Sequence, residues 1–283
     1  MQKIRHNWQQ IPRIELPEGK LVRPISMLHR RLPPRAVVAS HRHAWGQVVY
    51  ASEGVLEVAT PTGRYLLPPN RAAWVPPDHP HEVSSEFGAE MSSIHIDSDE
   101  AKVLAGSCYV LEVSPLLREL ILEALRHPAD YLWSGTAGRL FRTLRDQVAS
   151  AAPVPLYLPI PQDSRLLKIC SALQLHPESN RNLEQWSSEV GASSRTLQRL
   201  FLQQTGMNFR RWRQQLRLQI ALQHLTLDRY SVTRIASELG YESCSAFIAM
   251  FQQQLGMTPG EYVKSLSKHS PDTKRHLAPT INP

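Results

Sequence analysis

The chain has 283 residues, 42% of them hydrophobic and 20% charged, with a formal net charge of +7; this length suits two ordinary domains, each able to bury its own core. No apolar run approaches the roughly 20 residues of a membrane helix, and the N-terminus lacks the apolar stretch and small-residue cleavage site of a secretory signal, so no membrane partner and a cytoplasmic location are expected. Cys108, Cys170 and Cys244 are widely spaced and form no C-x-x-C pair, which fits neither a disulfide framework nor a zinc module and reads as reduced thiols.

Residues before about Lys20 are polar and proline-containing and are expected to be loose. From Ala36 to about Ile96 the chain reads as short β segments, VVYA, VLEVAT, RYLLPP, AAWVPP and MSSIHI. Turn formers such as Ser52-Glu53-Gly54, Pro61-Thr62-Gly63 and Pro76-Pro77-Asp78 separate them. Many short strands at close spacing predict an all-β barrel or sandwich. From Pro115 the period changes to helical, with Leu116, Leu117, Leu120, Ile121, Ala124 and Leu125 on one face. A second helix, from about Thr136 to Ala149, carries Leu140, Phe141, Leu144 and Val148. These two helices either complete the core of the β domain or pair two subunits. Residues 151–161 hold four prolines, which forbids a helix and favours extended chain. The spacing thus predicts a first domain over 20–150, a linker over 151–162, an all-α domain over 163–266 and a loose tail over 267–283.

The positive charge is unevenly placed. Up to Gln162 there are 17 Lys and Arg against 16 Asp and Glu, and from Asp163 onward 15 against 9. Within the second part, Arg195, Arg199, Arg210, Arg211, Arg213 and Arg217 fall in a stretch, 191–227, that has no acidic residue. A one-signed stretch of that length points to a polyanion such as DNA, against the alternative of a merely basic solvated surface.

In the same region Ser188-Glu189-Val190-Gly191 and Ser237-Glu238-Leu239-Gly240 are near copies 49 residues apart, whereas Leu197 and Phe247, Phe201 and Phe251, and Gly206 and Gly256 pair at an offset of 50. Each copy reads as a short helix closed by glycine, a tight turn, and a second helix opened by serine. The pattern is that of a helix-turn-helix, twice. On the second helix of the first copy, Arg195, Gln198 and Arg199 share one stripe and suit base edges in a major groove. Ser193 and Ser194 could cap that helix or meet a phosphate, and Arg210 and Arg211 are further candidates. The second copy has Ala249, Gln252 and Gln253 where basic residues would be useful, which leaves Ser243, Cys244 and Ser245 as its candidates. The connecting helix from Asn208 to Leu225 spans roughly 27 Å, enough to set two reading helices in successive grooves about 34 Å apart on double-stranded DNA.

SSEVGASSRTLQRLF, the connecting helix, and ASELGYESCSAFIAMFQQQLGMTPGEY with its Gly240-Tyr241, Phe247, Phe251, Gly256 and Thr258-Pro259 resemble the AraC/XylS family of transcription regulators. The resemblance implies a bihelical DNA-binding domain of seven helices in which Arg195, Gln198 and Arg199 touch bases or phosphates. It also implies a homodimer, with RNA polymerase as a partner if the chain is an activator.

The first domain contains His41, His43 and Gln47, then six residues, then Gly54, and later His79-Pro80-His81. This resembles the cupin barrel motif H-x-H-x(3,4)-E-x(6)-G, with Gln47 in place of the carboxylate. Two chemistries remain open. His41, His43, Gln47 and His81 can hold a divalent transition metal, or they line a pocket for an unknown small-molecule effector with no cofactor required. Trp45, Trp74 and Tyr50 either wall that pocket or belong to the core. A metal-dependent cupin enzyme is a competing class, against which Gln47 already argues; a regulator whose barrel serves only dimerisation is a third.

Overall fold

A computed structural model describes residues 7–13, 21–226 and 231–268 of the chain. They form two compact units; the chain passes from the first to the second between Leu156 and Tyr157, and the turn Pro61–Arg64 is grouped with the second. The first unit contains β1 (Gln9–Gln10), β2 (Ile25–Leu32), β3 (Ala36–His41), β4 (Gly46–Gly54), β5 (Leu56–Thr60), β6 (Gly63–Leu67), β7 (Arg71–Val75), β8 (His81–Ser85), β9 (Ala89–Ile96), β10 (Tyr109–Glu112) and β11 (Pro153–Val154). Its helices are α1 (Pro115–Ala124) and α2 (Thr136–Ser150). One sheet runs β1-β3-β8-β5-β6 and the other β11-β10-β7-β4-β9-β2.

The register of β4 decides what each face of the second sheet carries. Val48 lies opposite Trp74 and Ile94, and Gln47 opposite Val75 and His95. Because side chains alternate along a strand, this puts Val48, Tyr50, Trp74, Ile94 and Ile96 on one face. There they form a single apolar cluster with Leu117 and Ile121 of α1 and Phe141, Leu144 and Val148 of α2. Gln47, Ser93 and His95 fall on the other face, which meets the first sheet where Gln47 contacts His81. The apolar stripes of α1 and α2 are thus used inside the unit, as its core. Leu116, expected on that stripe, is 55% exposed, because the buried positions Leu117, Ile121 and Ala124 follow the i, i+4, i+7 spacing that leaves residue 116 to one side.

Strands β2, β3, β8 and β10 were not among the named β segments, and β1 lies before the expected start of the domain. The main chain explains β1: Gln9 N–H donates to Arg35 O (2.7 Å) and Ile11 N–H to Val37 O (2.8 Å), so backbone pairing and not side-chain pattern holds it. The proline-rich stretch is extended as expected, but it is tied at both ends. Pro153–Val154 pairs with β10, and Leu158 enters the core of the second unit. The expected loose ends lie mostly outside the described residues.

The second unit contains β12 (Tyr157–Pro159), α3 (Ser164–Leu175), α4 (Leu183–Val190), α5 (Ser194–Thr205), α6 (Phe209–Thr226), α7 (Val232–Glu238), α8 (Cys244–Leu255) and α9 (Pro259–Lys268). Side-chain caps mark where the helices begin. Asn182 and Gln185 form a reciprocal capping box on α4, Ser193, Ser231 and Ser243 cap α5, α7 and α8, and Thr258 with Glu261 does the same for α9 (2.7 and 3.2 Å). One core joins Leu166, Ile169 and Leu173 of α3, Leu183 and Trp186 of α4, Leu197 and Phe201 of α5, and Phe209, Trp212 and Leu216 of α6. The far half of α6 packs on α7 and α9. No helix among the described residues is long and apolar enough to cross a membrane.

Both repeated glycines adopt the left-handed backbone, Gly191 at φ +67° and Gly240 at φ +70°, yet their surroundings differ. A Cβ at Gly191 would meet open space, whereas one at Gly240 would lie 2.2 Å from Glu178 O. Gly191→Ala is therefore expected to cost roughly 1–2 kcal/mol, the left-handed penalty alone. Gly240→Ala should cost clearly more, because main chain must also move. Urea unfolding followed by the helical circular-dichroism signal checks this, and equal losses would contradict the crowding at Gly240.

Candidate nucleic-acid interface and ligand pocket

Arg195, Gln198 and Arg199 are all exposed on α5. With Thr196, Leu202 and Asn208 they line a depression of about 620 Å³. Arg199 Nη1 donates to Gln203 Oε1 (2.8 Å) one turn on, an arrangement that steadies the guanidinium without neutralising it. Ser193 spends its hydroxyl on the cap, accepting from Thr196 N (3.2 Å), and Ser194 is half-buried at the first helical position. Arg210 and Arg211 are exposed at the start of α6, where Asn208 Oδ1 accepts from Arg211 N (2.9 Å).

Arg213 and Arg217 leave this group of six arginines. Arg213 Nη1 donates to Arg181 O (2.9 Å) and the guanidinium lies over Phe209. Arg217 is 6% exposed; it donates to Pro177 O (2.8 Å), Ser179 O (3.1 Å) and Asn180 Oδ1 (3.0 Å) and lies over Tyr241. Burial lowers the pKa of both. Sequence periodicity does not separate them, since Arg210, exposed, shares their stripe of α6 at i−3 and i−7. Leu202 is the reverse case, an apolar side chain left 59% exposed. It sits seven residues after Arg195 on the same stripe, and that spacing was its available signal.

On α8 the serine at the start, Ser243, accepts from Ala246 N (3.1 Å), Cys244 is half-buried and Ser245 is exposed. The helix, CSAFIAMFQQQL, carries no charged residue. The exposed stripe of the second helix-turn-helix is therefore neutral, with Ser245, Ala249 and Gln252 standing where α5 has Arg195, Arg199 and Leu202.

In the first unit, His41 at the end of β3 pairs with His81 at the start of β8, and His43 lies in the loop before β4. The three rings offer ligand atoms within 4.8 Å of one another. Gln47 Oε1 is 3.1 Å from His43 Nε2 and 2.9 Å from His81 Nε2, and its amide nitrogen donates to Ser93 Oγ (2.8 Å). Trp45 stacks on His43 with centroids 4.7 Å apart, and its buried Nε1 has no partner among the described residues. Burial, reinforced by neighbouring histidines, pushes His81 and His95 down to about 3, and burial lowers His41 as well. Trp74 does not join this group. Its ring lies in the cluster under the helices and its Nε1 donates to Ala105 O (2.7 Å), as does Tyr50 in that cluster, because the register of β4 turns both away from Gln47. Ser93 and His95 were missed, although the alternation in MSSIHI already sets them on one face and Ile94 and Ile96 on the other.

The chain matches the family described as AraC-like ligand binding domain over residues 23–225 and the family described as Helix-turn-helix domain over residues 186–265. It is 32% identical over 235 residues to the HTH-type transcriptional regulator NimR of Escherichia coli K12, a match that covers 83% of this chain and 85% of that protein. The HTH-type transcriptional regulator RipA of Corynebacterium glutamicum is 31% identical over 104 residues, 37% of this chain and 31% of that protein. Among solved structures, the DNA-binding domain of AdpA in complex with a target DNA is 25% identical and covers 39% of this chain and 99% of its own, with a TM-score of 0.37. From the two family matches and the near full-length likeness to NimR, the chain belongs to the AraC family of transcription regulators.

Proposed function

We propose that this regulator presents α5 and α8 to successive major grooves of double-stranded DNA, and that a small molecule held among His41, His43, Trp45, Gln47, His81, Ser93 and His95 alters its DNA binding. The stripe Arg195, Gln198 and Arg199 carries the reading: three exposed side chains at i, i+3 and i+4, with no acidic partner among the described residues. Arginine offers a bidentate match to guanine and glutamine one to adenine. Arg210 and Arg211, with Ser194 and the free N–H groups at the start of α5, suit phosphates. Ser245 is the exposed candidate on α8; Ser243 serves there as a cap, and half-buried Cys244 has the smaller role.

Regulation needs an effector that binds two states of the protein unequally. The chain acts in the cytoplasm, without turnover, as a homodimer, and engages RNA polymerase where the position of its site makes it an activator. Leu116 and Leu132, 55% and 70% exposed, are among the apolar side chains that the first unit leaves available to a second copy, beside Val22, Phe87 and Val103.

Selection of sites from a random DNA pool should return a defined motif, and Arg195→Ala, Gln198→Ala and Arg199→Ala together should abolish it. Arg199→Ala alone is expected to weaken the selected site by about 1–3 kcal/mol and to relax one base position. Recovery of no motif, with binding set by salt alone, would sink the reading. Arg210→Ala with Arg211→Ala should instead weaken all sequences alike and lower the slope of log affinity against log salt by about 2. Sedimentation at micromolar concentration should give a dimer that Leu116→Glu weakens, and a wild-type monomer would remove the homodimer from the proposal.

A further inference from the structure

On the reading above, in which α5 enters a major groove, we infer that Leu202 is a specificity-determining residue that reads the 5-methyl group of a thymine beside the bases met by Gln198 and Arg199. Leu202 follows Arg195, Gln198 and Arg199 at i+7, i+4 and i+3, so the four side chains form one stripe. It is 59% exposed, whereas Leu197 and Phe201 of the same helix are fully buried and Leu200 packs against their core. Leu202 has no part in that core. With Arg195, Gln198 and Arg199 it lines the depression on α5, which Asn208, just ahead of the exposed Arg210 and Arg211, also lines.

A lone leucine on a protein surface is ordinary and needs no partner. One set among groups that meet bases is different, because DNA approaching the stripe strips its water whichever base it faces. In the major groove the one apolar group on a base edge is the thymine methyl; cytosine presents the N4 amino group, a hydrogen-bond donor. Against thymine, Leu202 and the methyl leave water together, which is favourable in proportion to the apolar area removed. Against cytosine, the same side chain covers a donor and gives it no acceptor, which costs free energy. Leu202 therefore discriminates in favour of thymine by both effects. Three residues, roughly 4.5 Å of helix, separate it from Arg199, so its thymine belongs to a base pair next to the one that Arg199 meets. The equivalent position of α8 is Gln252, a polar side chain, and only the half-site of α5 should depend on a methyl group in this way.

The test uses the full-length chain and the DNA motif selected from a random pool. Each thymine of the α5 half-site is replaced in turn by deoxyuridine, which removes the 5-methyl group and keeps every hydrogen-bonding group. Affinity is measured at one salt concentration for the wild type and for Leu202→Ala, with equal urea midpoints showing that both are folded. The wild type should lose about fourfold at one thymine, the value of one buried methyl group. Leu202→Ala should lose nothing further at that thymine, and its own site selection should return a motif in which that position alone has lost its preference. A selected half-site without thymine, indifference of the wild type to every replacement, or an equal loss at the sensitive thymine in Leu202→Ala would each overturn the role of the leucine. A motif that collapses when Arg195, Gln198 and Arg199 are changed but ignores Leu202 removes the leucine and leaves α5 as the reading helix. The absence of any motif removes both.

Discussion

The second unit turns on a joint around Arg217. Its guanidinium, almost wholly buried on α6, answers two carbonyls and one side-chain oxygen of the 177–180 loop and lies over Tyr241. Asn180 Nδ2 donates in turn to Gly240 O (3.0 Å), and Glu178 O fills the space where a Cβ on Gly240 would go. One buried cation thus fastens the loop before the first helix-turn-helix, the helix between the two, and the turn of the second. A charge in that position is costly unless its donors are matched, and removing it would leave carbonyls unsatisfied at about 1–3 kcal/mol each. The two repeats look alike in sequence, but only the second glycine lies in the joint.

The first unit depends on a different constraint, the two-residue period of β4. A continuous run of buried positions, Gly46 to Ala51, means that both faces of the strand are covered, one by α1 and α2 and the other by the facing sheet. The large apolar groups go to the helices, where Trp74, Tyr50 and Phe141 are excluded from water. That leaves the opposite face free to be polar. Buried imidazole and amide groups cost free energy unless hydrogen-bonded, and here the cost is offset locally: every ring of the triad has a main-chain carbonyl for Nδ1. The result is a rigid polar interior in which the directions of the remaining lone pairs are set by backbone.

The helical half was legible in the sequence, since its signals are local. Caps such as Asn182, Ser193 and Ser243, terminal glycines, and apolar residues at helical spacing all lie within a turn of the structure they specify. The histidine cluster was legible because H-x-H on a strand and a later histidine need only one pairing, His41 with His81, to meet. What sequence could not give was register and partner. Trp74 stood open between pocket lining and core until its pairing with Val48 turned it to the helices. Arg213 and Arg217 counted as surface charge until loop 177–180 closed over them. β1 has no side-chain pattern at all, being held by main-chain bonds to β3.

These local and non-local contributions bear unequally on the two helices proposed to read DNA. α5 carries its own recognition chemistry, charged and exposed, so that its contacts would be strong wherever the helix is delivered. α8 has no charge on its exposed stripe, and serine, alanine and glutamine cannot draw it toward a phosphate backbone from a distance. Its position must then come from the protein. The rod α6 fixes the separation and the joint at Arg217, Asn180 and Gly240 fixes the orientation, so the entropy of placing α8 is lost on folding and not on binding. A neutral second helix is tolerable on that condition alone, and the crowding at Gly240, absent at Gly191, is the structural sign that the condition is met.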